Sequence, residues 1–325
     1  MSGLEKISLQ NFRSYEKRTF ELGSKTVVVG ENGSGKSNLM EAIYLLATGK
    51  SFRAERDNEM VAYGQEFARV NGEIDETELE VILNERKQFK VNGVARRQID
   101  FVGKLPTVIF SPQDLELVTG SPSGRRRYLD SVIFQVDREY RRCLISYEKG
   151  VRQRNRLLDA IREGRAGRNQ LFFWDRLLIK NGEYITRKRE DYLRELGEGE
   201  YGTEYDKSVI SEARLKQYET EEVAAATTLV GPHRDDFVIN LKGRDVSKFG
   251  SRGEQRMAVL WLKKGEMRYL GGSPLLLLDD IFSELDHKHR EEVTGWVEDY
   301  GGQVVMTTAD RHLLPADGAD TIIEL

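Results

Sequence analysis

Gly30-Glu31-Asn32-Gly33-Ser34-Gly35-Lys36-Ser37 is the stretch from which the rest of the chain reads. The β-branched run Thr26-Val27-Val28-Val29 precedes it, and Leu39, Ala42, Ile43 and Leu46 follow at helical spacing. Strand, glycine loop and helix in that order are the setting in which GxxxxGKS means a phosphate loop. Glycines let the backbone wrap a triphosphate with its amide hydrogens turned inward. The helix N-terminus adds roughly half a positive charge at the same place. Lys36 is expected to reach the β- and γ-phosphates, Ser37 to offer its hydroxyl to Mg2+, and Asn38 to line the same pocket. With glycine at about 7% of residues, the pattern arises by accident in roughly one chain in a hundred of this length, before the flanking strand and helix are counted.

The 325 residues suffice for one large domain or two ordinary ones, and 39% are hydrophobic, enough for a core. A formal net charge of −4 argues against a chain that is basic throughout. A single cysteine, Cys143, excludes an internal disulfide. The first ten residues lack a basic region followed by an apolar run, and the longest apolar runs are far too short to cross a bilayer. A cytoplasmic location is therefore expected.

Outward from the loop, Ile7 and Leu9, then Phe20 and Leu22, alternate as strands. Residues 67–96 read as an antiparallel patch with a hairpin at Asn92-Gly93, and Thr107 to Phe110 as a short apolar strand. From about 112 to 220 helix formers dominate, with Tyr128, Leu129, Val132, Ile133 and Val136 on one stripe. Strand character returns at Phe237, Ile239 and Leu241, at Leu275 to Leu278, at Val304 to Met306 and at Thr321 to Ile323. The expected division is an α/β part over 1–111, an inserted basic helical lobe over 112–220, and completion of the α/β part over 221–325. Each α/β half has too few strands to close a core alone, so the two must meet in space.

Leu275-Leu276-Leu277-Leu278 fits a strand buried on both faces, which places Asp279 at its carboxyl end, where ligands bind in parallel sheets. Asp279 is assigned to the metal, and Asp280 to polarising the attacking water. Ser251 with Glu254 three residues on is a capping box for a helix starting near Gly253. The same Ser251-Arg252-Gly253-Glu254-Gln255 reads as the SxGxQ signature of an ATP-binding cassette. Phosphate loop, SxGxQ, apolar run with Asp279-Asp280, then Ser283-Glu284-Leu285-Asp286 resembling a D-loop, is the order of that superfamily. Further stretches narrow the likeness: Asn11 to Tyr15, Gly30 to Ala42, Phe110-Ser111-Pro112, Gly124 to Asp130, Gln153-Arg154-Asn155 and Gly231 to Asp236. Together they resemble the RecF family of bacterial recombination mediators, within the SMC-like ATP-binding cassette heads.

That resemblance implies an α/β head of the P-loop cassette type, with a mixed sheet and an inserted all-helical second lobe. It implies a head that dimerises around two ATP molecules with Mg2+, so that Ser251, Gly253 and Gln255 act in trans on the other copy's nucleotide. Arg13 would lie near the α-phosphate or sugar. DNA, double-stranded and at gaps or junctions, and the proteins RecR and RecO would be partners. Two positions depart from the superfamily pattern. Gln113 is the sole candidate for the usual glutamine, and Thr307-Thr308 stand where a histidine is usual. Threonine is no proton acceptor of that kind, so slow hydrolysis, used as a switch, is expected. A transporter ATPase subunit and an SMC-like structural head are the alternatives; the missing coiled-coil arms argue against the second.

Between Arg125 and Glu190 there are 18 Lys plus Arg and 9 Asp plus Glu, against 32 and 45 elsewhere. The helical stretch is thus basic and the remainder acidic. Arginine prevails there, as in Arg125-Arg126-Arg127 and Arg187-Lys188-Arg189, and it suits phosphate. DNA contacts in this lobe are expected to go mainly to the backbone.

Overall fold

Apolar runs, buried along most of their length in all but the last strand, form the sheet that carries the phosphate loop. In the computed structural model, which describes residues 3–197, 199–281, 287–309 and 319–325, this sheet has five parallel strands. They are β3 (Lys25–Val29), β8 (Thr107–Phe110), β12 (Leu275–Asp279), β13 (Val304–Thr308) and β14 (Thr321–Glu324), in the order β14-β3-β13-β12-β8. Pairing of Leu277 with Ile109 and of Met306 with Val27 joins the two ends of the chain in one sheet, as the strand count requires. Continuous apolar strands are what a sheet covered on both faces needs.

Helix α1 (Lys36–Thr48) leaves β3 through the glycine loop and is buried over nearly its whole length. It packs between this sheet and a second, six-stranded antiparallel one. The second sheet runs β2-β1-β4-β5-β6-β7, with β1 Leu4–Phe12, β2 Tyr15–Glu21, β4 Ala68–Ile74, β5 Thr77–Leu83, β6 Gln88–Val91 and β7 Val94–Arg96. Its inward residues alternate, Ile7 and Leu9 with Val70 and Val81, as period two demands. Asn92-Gly93 forms the tight turn between β6 and β7. These strands and α1, with the helix His287–Asp299, make one compact unit of residues 1–114 and 270–325.

The second compact unit spans Leu115–Tyr269. Four long helices, Pro122–Val136, Arg138–Arg162, Phe172–Glu195 and Arg252–Leu270, supply most of it. It differs from an all-helical lobe in carrying a three-stranded antiparallel sheet: β9 (Tyr201–Asp206), β10 (Asp236–Leu241) and β11 (Arg244–Asp245). Strand β9 pairs with a partner some thirty residues away, and the alternation of Tyr201, Thr203 and Tyr205 is its sequence trace. The unit also extends past residue 220 to take in the SxGxQ stretch, because the helix that follows packs here: Tyr128 bonds to the Leu262 carbonyl and Arg268 to that of Leu196. No helix among the described residues is long and apolar enough to cross a membrane.

Candidate functional site

Four segments leave the carboxyl ends of the parallel strands and so lie at one edge of the sheet. The first is the phosphate loop after β3. Gly33 and Gly35 adopt φ of 87° and 109°, which only glycine takes without strain. A Cβ on Gly35 would also stand 2.8 Å from the Tyr15 hydroxyl, which donates to the Gly35 carbonyl at 3.1 Å. Lys36 is buried and its ammonium donates to the carbonyls of Gly30 (2.7 Å) and Glu31 (2.9 Å), folding over the loop it closes. Asn32 is exposed at the loop's outer rim.

The second segment is Asp279-Asp280 after β12. Ser37 Oγ donates to Asp279 Oδ1 at 3.0 Å, and Thr307 Oγ1 donates to the same oxygen at 2.9 Å. Burial pushes the Asp279 carboxyl above its ordinary value, against the pull of those two hydroxyls. Asp280 follows with φ of 52°, and its N–H donates to Thr307 Oγ1. Thr307, the residue at the usual histidine position, therefore braces both acids. The third segment, after β8, holds Gln113 exposed in the short turn Pro112–Leu115, where Asp114 caps the Ser111 N–H at 2.7 Å. The fourth is the end of β13 itself.

Two observations fit a nucleotide with its metal. The Ser34 hydroxyl is buried in the loop with no hydrogen-bond partner among the described residues. Asp279 is buried against hydroxyls rather than a basic side chain, so a divalent ion shared with Ser37 would balance its charge.

Arg13 sits in the β1–β2 turn at φ of 52° and grips Glu41 of α1 through both guanidinium arms, at 2.7 and 2.8 Å. Glu41 is wholly buried and also accepts from Arg53 (2.6 Å) and Ser51 (2.5 Å). Burial acts to raise the Glu41 carboxyl, but the bonds from Arg13, Arg53 and Ser51 outweigh it and hold it below the usual range. Arg53 in turn reaches Asn38 Oδ1 at 2.7 Å, and Asn38 donates to Ser14. Arg13 and Asn38 thus belong to a brace around the start of α1. Sequence reasoning assigned those two a role at the nucleotide, counted Glu41 only in the family likeness, and assigned Ser51 and Arg53 none. The signal was a glutamate inside the apolar run Leu39-Met40-Glu41-Ala42-Ile43.

In the second unit Ser251 makes the expected capping box. Its N–H and hydroxyl donate to Glu254 Oε2 at 2.7 and 2.8 Å, and the Glu254 N–H returns to Ser251 Oγ at 3.3 Å. Ser251 is exposed, Gly253 has open space where a Cβ would point, and Gln255 reaches back to the Gly250 carbonyl. The residues Ser283 to Asp286 lie outside the described residues.

The arginines of this unit divide in two. Arg125, Arg141, Arg154 and Arg189 are buried. Arg125 forks onto Asp236 at 2.6 and 2.8 Å. Arg189 bonds Asp130, Asp235 and the Pro232 carbonyl, while Arg154 bonds Asp175, Glu222 and Thr228. Asp235, with no exposed surface, also receives the Tyr205 hydroxyl and the Ser208 N–H. His233 donates Nε2–H to the Thr228 carbonyl, so Nδ1 accepts from Tyr147. Burial holds its pKa down at about 4. The stretches 124–130 and 231–236 are therefore tied to each other as internal scaffold. The arginines left on the surface include Arg127, Arg152, Arg156, Arg176 and Arg187.

A phosphate loop facing a strand-end acid, on a parallel sheet backed by an antiparallel one, defines a P-loop ATPase head of the SMC type. The family profile of the RecF/RecN/SMC N-terminal domain matches residues 3–324. The chain is similar to the DNA replication and repair protein RecF of Moorella thermoacetica, 37% identical over 96% of this chain and 91% of that one. It is similar to the RecF of Herpetosiphon aurantiacus at 36% over 94% and 93%. A solved structure of the recombination mediator protein RecF-ATPrS in the RecFOR pathway superposes with a TM-score of 0.89 at 32% identity, covering 100% of this chain and 96% of that one. The Smc head of Pyrococcus furiosus shares the fold, with a TM-score of 0.54 at 18% identity. The chain belongs to the RecF family.

Proposed function

We propose that the protein is an ATP-dependent DNA-binding protein of recombinational repair and replication-gap processing. The observation that carries the reading is the 3.0 Å bond from Ser37 to Asp279, which joins the phosphate loop to a buried acid at one sheet edge. Lys36 and the loop amides from Gly30 to Gly35 would hold the β- and γ-phosphates, and Ser37 with Asp279 would hold Mg2+. The ion, when bound, draws charge from the phosphate oxygens. Asp280 would orient the attacking water, and Gln113 stands at the same sheet edge. Thr307 fixes the two acids and accepts no proton, which favours slow turnover, below about 1 per second against a typical enzyme median near 10.

Ser251, Gly253 and Gln255 would complete the site of a second copy, so that ATP closes a homodimer on DNA. The surface arginines of the second unit would meet DNA phosphates, with affinity falling by roughly 0.9 log unit per tenfold salt for each phosphate neutralised. The RecFOR pathway named for the structural relative suggests RecO and RecR as partners in loading a recombinase at single-stranded gaps.

Ser251→Arg separates the parts of this reading. It is expected to bind ATP as the wild type does and to lose ATP-induced dimerisation and hydrolysis, whereas Lys36→Ala loses ATP binding itself. Dimerisation that survives Ser251→Arg contradicts the shared site, and turnover of tens per second by the wild type contradicts the switch.

A further inference from the structure

Helices Arg138–Arg162 and Phe172–Glu195 form an antiparallel hairpin, since Gly150 meets Leu177 and Leu178 while Ser146 meets Asn181. A Cβ on Gly150 would stand 2.7 Å from Leu177 Cδ2, so glycine permits this close approach. Residues 163–171 are therefore the hairpin tip. Phe172 and Phe173 stand side by side there, each 63% exposed, although rings of this size gain most from burial. The Arg176 guanidinium lies 5.6 Å from the centre of the Phe172 ring, and Phe173 meets Trp174 edge-on at 5.0 Å.

The surroundings of the rings are basic. Arg162, Arg165, Arg168, Arg176 and Lys180 are all exposed. Arg176 and Lys180 follow Phe172 at four and eight residues, on one helix face. Two acids lie in the same stretch, Glu163 and Asp175, and Asp175 is held by buried Arg154 at 2.7 Å. Glu183, a turn past Lys180, ends the basic run. Arg162, Arg165 and Arg168 make exposed pairs with Asp159, Glu163 and Glu219, of the weak kind that phosphate displaces.

We infer that this tip binds unpaired nucleotides: Phe172 and Phe173 stack on bases while the arginines around them and Lys180 meet the phosphates. Stacking requires flat apolar faces open to solvent with cations within a nucleotide's reach, and it is indifferent to base identity. The inference rests on the DNA-binding reading above and deepens it. A duplex keeps its bases stacked inside, so the rings grip only where one strand is unpaired, as at a gap. The rival occupant, an acidic apolar protein surface, predicts no effect on DNA.

The test uses the full chain with ATP and Mg2+ on gapped and intact duplexes of equal length, with 2-aminopurine in the gap. The wild type is expected to prefer the gapped DNA and to quench the 2-aminopurine. Phe172→Ala with Phe173→Ala is expected to lose roughly tenfold or more on gapped DNA, to change by less than about twofold on intact duplex, and to lose the quench. The Phe172→Tyr and Phe173→Tyr pair restores both. Equal losses on the two DNAs, or a quench untouched in the alanine pair, overturn the inference. A wild type that binds intact duplex well without gap preference or quench overturns it alone, and that readout needs no variant to fold. Failure to bind either DNA overturns the DNA-binding reading as well.

Discussion

The two compact units bury charge differently: one pairs a buried acid with arginines that reach solvent, the other buries both members of the pair. In the nucleotide unit one buried carboxylate, Glu41, is shared by two arginines and a serine, and the arginines keep part of their surface in water. In the basic unit two guanidiniums, Arg154 and Arg189, are buried together with acids that pair with them, Glu222 and Asp235, and each is surrounded by several oxygens. A buried anion fed from the surface can be relaxed by water when a partner is lost. A buried cation locked among Asp130, Asp235 and Tyr140 has no such recourse. Arg189 shows this in its proton affinity: burial opposes its charge, yet the neighbours led by Asp130 hold it well above the usual value. Charge counted along the sequence is thus not charge offered to DNA, since Arg125, Arg141, Arg154 and Arg189 of the basic stretch are buried.

The largest break in this comparison is Arg189→Met. It leaves Asp235 buried without its cation and is expected to cost about 3–5 kcal/mol, read from urea unfolding. A loss under about 1 kcal/mol would show the network to be interchangeable with apolar packing.

Next is acid. His233 has a folded pKa of about 4, below its ordinary 6.5, so the unfolded chain binds the extra proton between those values. Its stabilisation is complete above pH 6.5 and falls as pH drops toward 4, by on the order of 3 kcal/mol. Glu41 has the depressed carboxylate's sign: its share persists above its ordinary 4.5 and goes only as pH falls further. Unfolding free energy measured against pH should therefore decline first through the basic unit, and His233→Gln should flatten that first decline.

Smallest is Glu41→Gln. Arg13 and Arg53 reach solvent and can hydrate, so the expected cost is about 1–3 kcal/mol by the same unfolding assay. A cost matching that of Arg189→Met would erase the contrast between the units.

Much of the nucleotide site was legible because it is local. A strand, a glycine loop and a helix lie within about twenty-five residues, and four buried leucines in a row lead up to Asp279. Serine and glutamate three apart announced the cap that Ser251 makes. What stayed hidden depends on distant partners. Thr307 reads only as a replacement for the usual histidine, and its bond to Asp279 shows once β13 sets the two side by side. Arg154 and Arg189 read as surface charge, although each shares its helix face with buried residues, Gly150 and Leu158 for one, Ile185 and Leu193 for the other. That periodicity was the available sign that they point inward.

Whether triphosphate joins two copies of this chain, as proposed, is decided by light scattering on the wild type with DNA present, with and without Mg-ATP. The expected result is 37.3 kDa of protein per particle without nucleotide and twice that mass at saturating ATP. A particle that holds one chain with ATP saturating and DNA bound would contradict it.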